Sequence, residues 1–251
     1  SGVNSIGIFT GNKVRSVMDH VGSGQPWDLD RKINGLFLFT PTYDYTTVNQ
    51  KIGDIDLFYQ NKSFVRNAKQ ENIFLAKSYM IANIDLNEAY QDFVESGADI
   101  SIIYKRVKDV KNRFIGCDKM NFDENGAFSS IGTNLGMEES FNMSLEMYFI
   151  KKGVYFDLLF DAVEKGNANY LKQAVLNSLN KYKLHTYEFK GYVSCINTTR
   201  NYFDANMAIL NPDISKELFF ENGQIFTKVK DEPSTHYKKN ARIKNSFIAN
   251  G

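Results

Sequence analysis

The chain has two cysteines and three histidines that could act as nucleophiles or metal ligands. Cys117 and Cys195 are far apart in sequence and form no Cys-x-x-Cys pair, so their spacing indicates neither a zinc site nor a disulfide framework. His20, His185 and His236 are too widely separated to predict a metal cluster. Cys195 could act as a nucleophile only beside a base and an oxyanion site that the sequence does not place, so a structural role is favoured.

Phosphate binding is the second kind of chemistry to consider, and the two common glycine-rich phosphate loops are absent from the sequence. The turn Gly22-Ser-Gly24 is best interpreted as a plain loop, because no helix start follows it. Asp28 and Asp30, next to Trp27 and the basic pair Arg31-Lys32, could bind a ligand or simply solvate a loop. The residues alone leave both readings open and predict no mechanism.

Length and charge restrict the class of protein. The 251 residues are enough for one large α/β domain, or for a domain with an appendage. Thirty basic and 29 acidic residues give a net charge of +1, so the chain as a whole has no electrostatic reason to bind nucleic acid or an anionic membrane. The apolar runs are strand-sized, and the cysteine usage fits a reducing compartment, so we expect a cytoplasmic protein.

Strands and helices alternate along the first half of the chain. Apolar runs predict strands over residues 5–10, 35–40, 71–76 and 99–105, and helical spacing predicts helices over 14–18, 54–67 and 86–95. Residues 113–131 show the short segments and turns of a β-hairpin. Further strands are expected over 143–151, 185–189 and 192–195, further helices over 154–164, 170–181 and 198–210, and a short strand over 241–243. The alternation favours an α/β fold with a mostly parallel sheet covered by helices on both faces.

Three stretches of sequence together resemble the glucose-1-phosphate adenylyltransferase family of sugar nucleotidyltransferases. The longest runs from Ile8 to Gly24 and continues through Trp27-Asp-Leu-Asp-Arg-Lys32 and Gly35-Leu-Phe37. Gly53-Asp-Ile-Asp-Leu-Phe-Tyr-Gln-Asn61 resembles the family's Gly-Thr-Ala-Asp-Ala helix start, and residues 192–206 resemble its Trp-Arg-Asp-Val-Gly-Thr region. The match covers essentially the whole chain and is closer to the family's D-type, regulatory subunits than to its catalytic ones.

The resemblance implies a Rossmann-like nucleotidyltransferase domain with a mixed, mostly parallel sheet. It implies that residues 1–210 form this domain without the family's N-terminal phosphate loop. Residues 211–251 are expected to be a linker and the start of a C-terminal left-handed β-helix, before which the domain is truncated.

The resemblance also implies that the family's metal site is lost. The two positions of the metal-binding aspartates fall on Tyr79 and Cys195, and the family's phosphate-pairing lysine falls in the segment Gly132-Thr133-Asn134. A phenol and a thiol are poor substitutes for the oxygen anions that Mg²⁺ prefers. We therefore expect no catalytic residue, no metal and no cofactor in this chain, with Mg²⁺ confined to the catalytic homologue. A degenerate substrate pocket is expected at Lys51, Gly53, Tyr79, Thr133 and Asn197.

The function implied is that of a regulatory subunit, which joins a catalytic glucose-1-phosphate adenylyltransferase subunit in a heterotetramer and changes its activity. A sugar phosphate or a nucleotide is the candidate small ligand, and neither nucleic acid nor membrane is an expected partner. The alternative is an active nucleotidyltransferase whose metal is held by other carboxylates, with Asp85 and Asp56 as candidates. Asp85 has a competing role, because it directly precedes the helix expected from Leu86 and could cap it.

Overall fold

The computed structural model describes residues 3–11, 14–31, 33–40, 53–108, 113–223, 225, 233, 235–246 and 248. Within these ranges the strands are β1 (Ser5–Phe9), β2 (Gly35–Phe39), β3 (Asn72–Ala76), β4 (Met80–Ile81), β5 (Ile100–Lys108), β6 (Asp118–Phe122), β7 (Phe128–Thr133), β8 (Ser140–Lys151), β9 (Leu184–Glu188) and β10 (Ser194–Cys195). The α-helices are α1 (Arg15–Val21), α2 (Asp54–Gln60), α3 (Lys62–Asn67), α4 (Leu86–Ser96), α5 (Lys152–Lys165), α6 (Leu171–Asn177), α7 (Thr199–Ala208) and α8 (Pro212–Lys216). None of these helices is long and apolar enough to cross a membrane.

The main sheet is mixed, which confirms the expected α/β class. Its strand order is β7-β6-β8-β5-β9, and β3 pairs with the second half of β8. Strands β5 and β9 are parallel, whereas the pairings of β8 with β3, β5 and β6 are antiparallel. Strands β1 and β2 form a separate parallel pair, and β4 and β10 a separate antiparallel pair.

The expectation of a mostly parallel sheet is wrong for the strands that the structure describes, since most of their pairings are antiparallel. One antiparallel pairing comes from the hairpin of β6 and β7, because a short connection without a crossover helix joins these two strands. Strand β8 lies on the other side of β6 and is also antiparallel to it. The 12-residue strand β8 then enters the middle of the sheet antiparallel to both of its long neighbours.

Helices cover both faces of the main sheet, as the alternating pattern predicted. On one face Ala89 and Phe93 of α4 pack against Ile103 and Met143. On the other face helices α5 and α6 pack against the opposite side of β5, with Tyr155 among the fully buried side chains. The first four residues of β5, Ile100 to Ile103, are all buried because helices cover both faces of the sheet there.

Two local features differ from the expected pattern. The helix expected over residues 54–67 is divided into α2 and α3 at Asn61, whose side-chain amide donates to the carbonyl of Leu57 (2.8 Å) and so competes with helix continuation. Residues 235–246 contain no regular secondary structure, so the short strand expected over 241–243 is not formed. The division of the chain at residue 210 remains a prediction.

Candidate functional site

The two positions expected to replace metal-binding aspartates come together in the fold. Tyr79 lies directly before β4, and Cys195 lies in β10, which pairs with β4. The amide of Ile196 donates to the carbonyl of Tyr79 (2.7 Å). Tyr79 is half-buried against the core, while the thiol of Cys195 is fully buried. Residues 79 and 195 are therefore neighbours, although 115 residues separate them along the chain.

The fold also brings together the two cysteines, whose pairing could not be predicted from their spacing. Cys117 lies just before β6, and its thiol donates a hydrogen bond to the sulfur of Cys195 across 2.9 Å. Both side chains are buried, and no disulfide joins them. This hydrogen bond lowers the pKa of Cys195 and, together with burial, raises the pKa of Cys117.

The other expected pocket residues lie in different surroundings. The side-chain amide of Asn197 donates to the carbonyl of Ile115 (2.9 Å) and lies 3.8 Å from the sulfur of Cys117, so Asn197 adjoins the thiol pair. Thr133 is exposed at the end of β7, opposite Asp118 of β6. Lys51 lies outside the described residues.

Gly53 has a packing role that is sufficient to account for a glycine at this position. It is buried at the start of α2, and a Cβ added to it would lie 1.7 Å from the carbonyl oxygen of Asn169. Its φ of −83° is available to any residue, so the close approach of the backbones is what requires glycine.

A cluster of charged side chains that the sequence did not predict lies next to this site. It consists of Asp54, Lys77, Asp118, Glu146 and Lys172, and we call it the charged cluster. Two ion pairs organise it, one between Lys77 and Asp54 (2.6 Å) and one between Lys172 and Asp118 (2.8 Å). Asp54 also accepts from the amide of Leu171 (2.7 Å), which ties the start of α2 to the start of α6.

Glu146 is the unusual member of the charged cluster. It lies in β8 where the register with β5 shifts, it has a φ of +50°, and only 7% of its surface is exposed. A glutamate rarely adopts this left-handed backbone conformation, which favours glycine. Burial raises the pKa of its carboxyl group, and the positive charges of Lys172 and Lys77 oppose that rise. A buried acid in a strained backbone conformation is a candidate functional residue.

The charges of the cluster are already largely balanced. Burial alone would lower the pKa of Lys172, but its hydrogen bonds with Asp118 raise that pKa overall. Asp118 is buried and depends on this lysine, while Asp54 is held by Lys77 and by a backbone amide. The carboxylates of Asp54 and Asp118 are therefore engaged in ion pairs.

The residues that the structure describes around Tyr79 and Cys195 do not fit a bound Mg²⁺. Within the described ranges, no three histidine, cysteine or acidic side chains are grouped so that they could hold a metal ion. Asp85, one alternative ligand, caps α4 by accepting from the amides of Asn87 (2.8 Å) and Glu88 (3.3 Å). The other, Asp56, lies in the first turn of α2. Around Cys195 the structure offers soft or neutral groups, the buried Glu146, and Asp118, which is paired with Lys172, whereas Mg²⁺ prefers several oxygen anions and water.

The chain is similar in sequence to several known proteins. It is 27% identical over 249 residues to the glycogen biosynthesis protein GlgD of Bacillus subtilis (strain 168), covering 99% of this chain and 62% of that protein. It is 30% identical over 275 residues to GlgD of Geobacillus stearothermophilus, covering 100% of this chain and 63% of that protein. A glucose-1-phosphate adenylyltransferase of Clostridium kluyveri is 27% identical over 265 residues, with 66% of its length covered. The resemblance to the glucose-1-phosphate adenylyltransferase family is confirmed.

This similarity extends along the whole chain, although the chain spans less than two thirds of the length of the GlgD relatives. No protein-family model matches it. Solved structures support the fold. HddC of Yersinia pseudotuberculosis matches with a TM-score of 0.53 at 16% identity, over 81% of this chain and 78% of HddC. A Bacillus anthracis protein assigned as a glucose-1-phosphate thymidylyltransferase, in complex with sucrose, matches with a TM-score of 0.60 at 15% identity, over 81% of this chain and 75% of that one. The fold is that of the nucleotidyltransferases.

Proposed function

We propose that this chain forms most of a regulatory, non-catalytic subunit of glucose-1-phosphate adenylyltransferase in glycogen biosynthesis. In this proposal a catalytic partner subunit converts ATP and glucose 1-phosphate into ADP-glucose and pyrophosphate within a cytoplasmic heterotetramer. The whole-chain similarity to proteins named for glycogen biosynthesis supports the pathway. The observation that carries the non-catalytic role is that the pairing of β4 with β10 brings Tyr79 next to Cys195, where the resemblance implies a metal site.

The physical argument concerns negative charge. Transfer of a nucleotidyl group develops charge on phosphate oxygens, and such reactions depend on cations that are fixed in place to stabilise it. Here the two positions offer a phenol and a buried thiol, and the carboxylates of Asp54 and Asp118 are paired with lysines. The groups that would have to hold the cation are missing, so we expect no turnover by this chain alone.

Regulation in this proposal is exerted through binding to the partner. A subunit raises its partner's activity only if it binds the partner's active state more tightly than the inactive one. A sugar phosphate or nucleotide bound by the degenerate pocket would alter that preference. Calorimetry of the intact protein with ATP, ADP-glucose and fructose 1,6-bisphosphate tests whether the pocket binds a ligand. If none of the three compounds binds, assembly with the partner is left as the chain's role.

The decisive experiment measures ADP-glucose formation by the intact protein alone, by the catalytic subunit alone, and by the mixture. We expect no activity from the first and a changed rate or effector response in the mixture. The variant Tyr79→Asp/Cys195→Asp tests the electrostatic reasoning, with Tyr79→Asn/Cys195→Asn as a control of similar shape and no added charge. Magnesium-dependent activity in the aspartate variant only would support the loss of ligands. Robust turnover by the unmodified protein alone would overturn the proposal.

The alternative is an active nucleotidyltransferase with different metal ligands, and Glu146 is the observation that favours it. Its buried carboxyl group lies close enough to influence the pKa of Cys195. Glu146→Gln removes the charge and keeps the shape of the side chain. If the intact protein is active alone and this variant abolishes the activity, Glu146 supplies the missing anion and the regulatory proposal fails.

A further inference from the structure

We propose that Cys117 and Cys195 form a reversible disulfide when the protein meets a small hydroperoxide such as hydrogen peroxide. The two sulfur atoms are 2.9 Å apart and are not joined. A disulfide bond is about 2.05 Å long, so the sulfurs need to approach by only about a further 0.9 Å. These are the only cysteines of the chain, and the fold places them together across 78 residues of sequence.

The contact is held from both sides, which makes a chance approach of two mobile side chains a poor explanation. Two backbone hydrogen bonds hold the segment of Cys117 against Asn134. The amide of Gly116 donates to the carbonyl of Asn134 (2.9 Å), and the amide of Asn134 donates to the carbonyl of Cys117 (2.9 Å). The side chain of Asn197 joins Ile115 of the same segment to the residues that follow β10. Cys195 is fixed by the pairing of β10 with β4.

The asymmetry of the pair indicates the order of the chemistry. Because the Cys117 thiol donates its hydrogen bond to Cys195, the thiolate form is favoured at Cys195. That thiolate attacks the peroxide, the O–O bond breaks, and a sulfenic acid and one water are formed once a proton is taken up. The Cys117 sulfur then attacks the Cys195 sulfur, loses its proton, and displaces the hydroxyl as a second water. Two thiols are oxidised and one peroxide is reduced.

Burial restricts which oxidant can react. Cys117 and Cys195 are 1% and 0% exposed, so a bulky oxidant such as oxidised glutathione reaches them only when the segment opens. Hydrogen peroxide is close to water in size and can enter through smaller fluctuations. The disulfide bond would join the segment before β6 to β10. Strand β10 pairs with β4, which directly follows Tyr79. The thiols would react in this way whether or not the chain is catalytic.

The test is peptide mapping of the purified intact protein after treatment with hydrogen peroxide and alkylation of the remaining thiols. Trypsin releases Cys117 in Phe114–Lys119 and Cys195 in Gly191–Arg200. We expect these two peptides to be linked in most molecules, and dithiothreitol to separate them. Closing a loop of this length should raise Tm by roughly 10 °C in the oxidised protein.

Cys117→Ser and Cys195→Ser are matched controls, because each keeps a small polar side chain and removes one partner. Neither should give the linked peptide or the rise in Tm. Protein oxidised while unfolded in urea should give much less linked product, since the fold then no longer holds the sulfurs together. If peroxide leaves both thiols open to alkylation, or drives them separately to sulfinic acid, the proposal is wrong.

Discussion

Replacing Gly53 by alanine should lower the free energy of unfolding by about 3 kcal/mol. The new Cβ would lie 1.7 Å from the carbonyl oxygen and 2.6 Å from the carbonyl carbon of Asn169, which are backbone atoms and cannot rotate away. The start of α2 must therefore move from the segment before α6 by more than 1 Å. Overpacking of this kind costs roughly 1–3 kcal/mol. The movement also weakens the hydrogen bond from Leu171 to Asp54, which adds about 1 kcal/mol.

The assay is thermal and urea unfolding of the variant and its parent under identical conditions. For a chain of this size, about 3 kcal/mol corresponds to a fall in Tm of roughly 6–12 °C. Gly153→Ala is the matched control, because Gly153 lies in α5 and a Cβ there meets nothing within 4 Å. That control should be neutral or up to about 1 kcal/mol more stable. A Gly53→Ala protein that melts within about 1 °C of the parent would refute the packing role and leave ligand binding as the reason for glycine.

Three further predictions test the charged groups, and the second of them includes a control substitution. Asp85→Ala removes the cap of α4 and should cost about 1 kcal/mol in urea unfolding, and an unchanged midpoint would show that the cap is dispensable. Lys172→Met leaves Asp118 buried without its cation and should cost roughly 1–3 kcal/mol, whereas Lys165→Met, which breaks an exposed pair, should cost less than about 0.5 kcal/mol. Glu146→Gln tests the raised pKa of Glu146. Because folding favours the protonated form of this carboxyl group, the free energy of unfolding of the parent should fall as pH rises above 4.5, the ordinary pKa of glutamate. The variant should not show this fall. Parallel pH profiles of unfolding for parent and variant would contradict that assignment.

Helices and turns with local signals could be predicted from the sequence. Asp85 caps the start of α4, and Gly97 ends the helix with a φ of +63°. Aspartate is a preferred residue at a helix start, and glycine at a helix end. The hairpin of β6 and β7 turns at Gly126, where φ is +79°. In each case the residue responsible lies within a few positions of the end of the element, so the feature could be predicted from the local sequence.

Features that depend on distant contacts could not be predicted in the same way. Strand β8 is antiparallel to its neighbours because of the order of the strands in the sheet. Its apolar pattern would be the same if it ran parallel to them. The cysteine pair joins positions 78 residues apart, and nothing near either residue indicates the other. The ion pair of Lys77 with Asp54 joins the end of β3 to the start of α2, which are neighbours only in the finished fold. The resemblance alone located Tyr79 and Cys195, and the structure then placed them side by side.

The charged cluster stabilises this edge of the fold through its own ion pairs. Asp54 fastens α2 to the start of α6, and Asp118 fastens β6 to the same helix through Lys172. These carboxylates stabilise the domain through their lysines, so they are not free to hold a cation without loosening it. New aspartates at positions 79 and 195 would instead add negative charge beside the already buried Glu146, and a divalent cation is what would relieve that repulsion. Magnesium should therefore raise the Tm of the double aspartate variant and leave that of the parent unchanged, even if no catalysis returns.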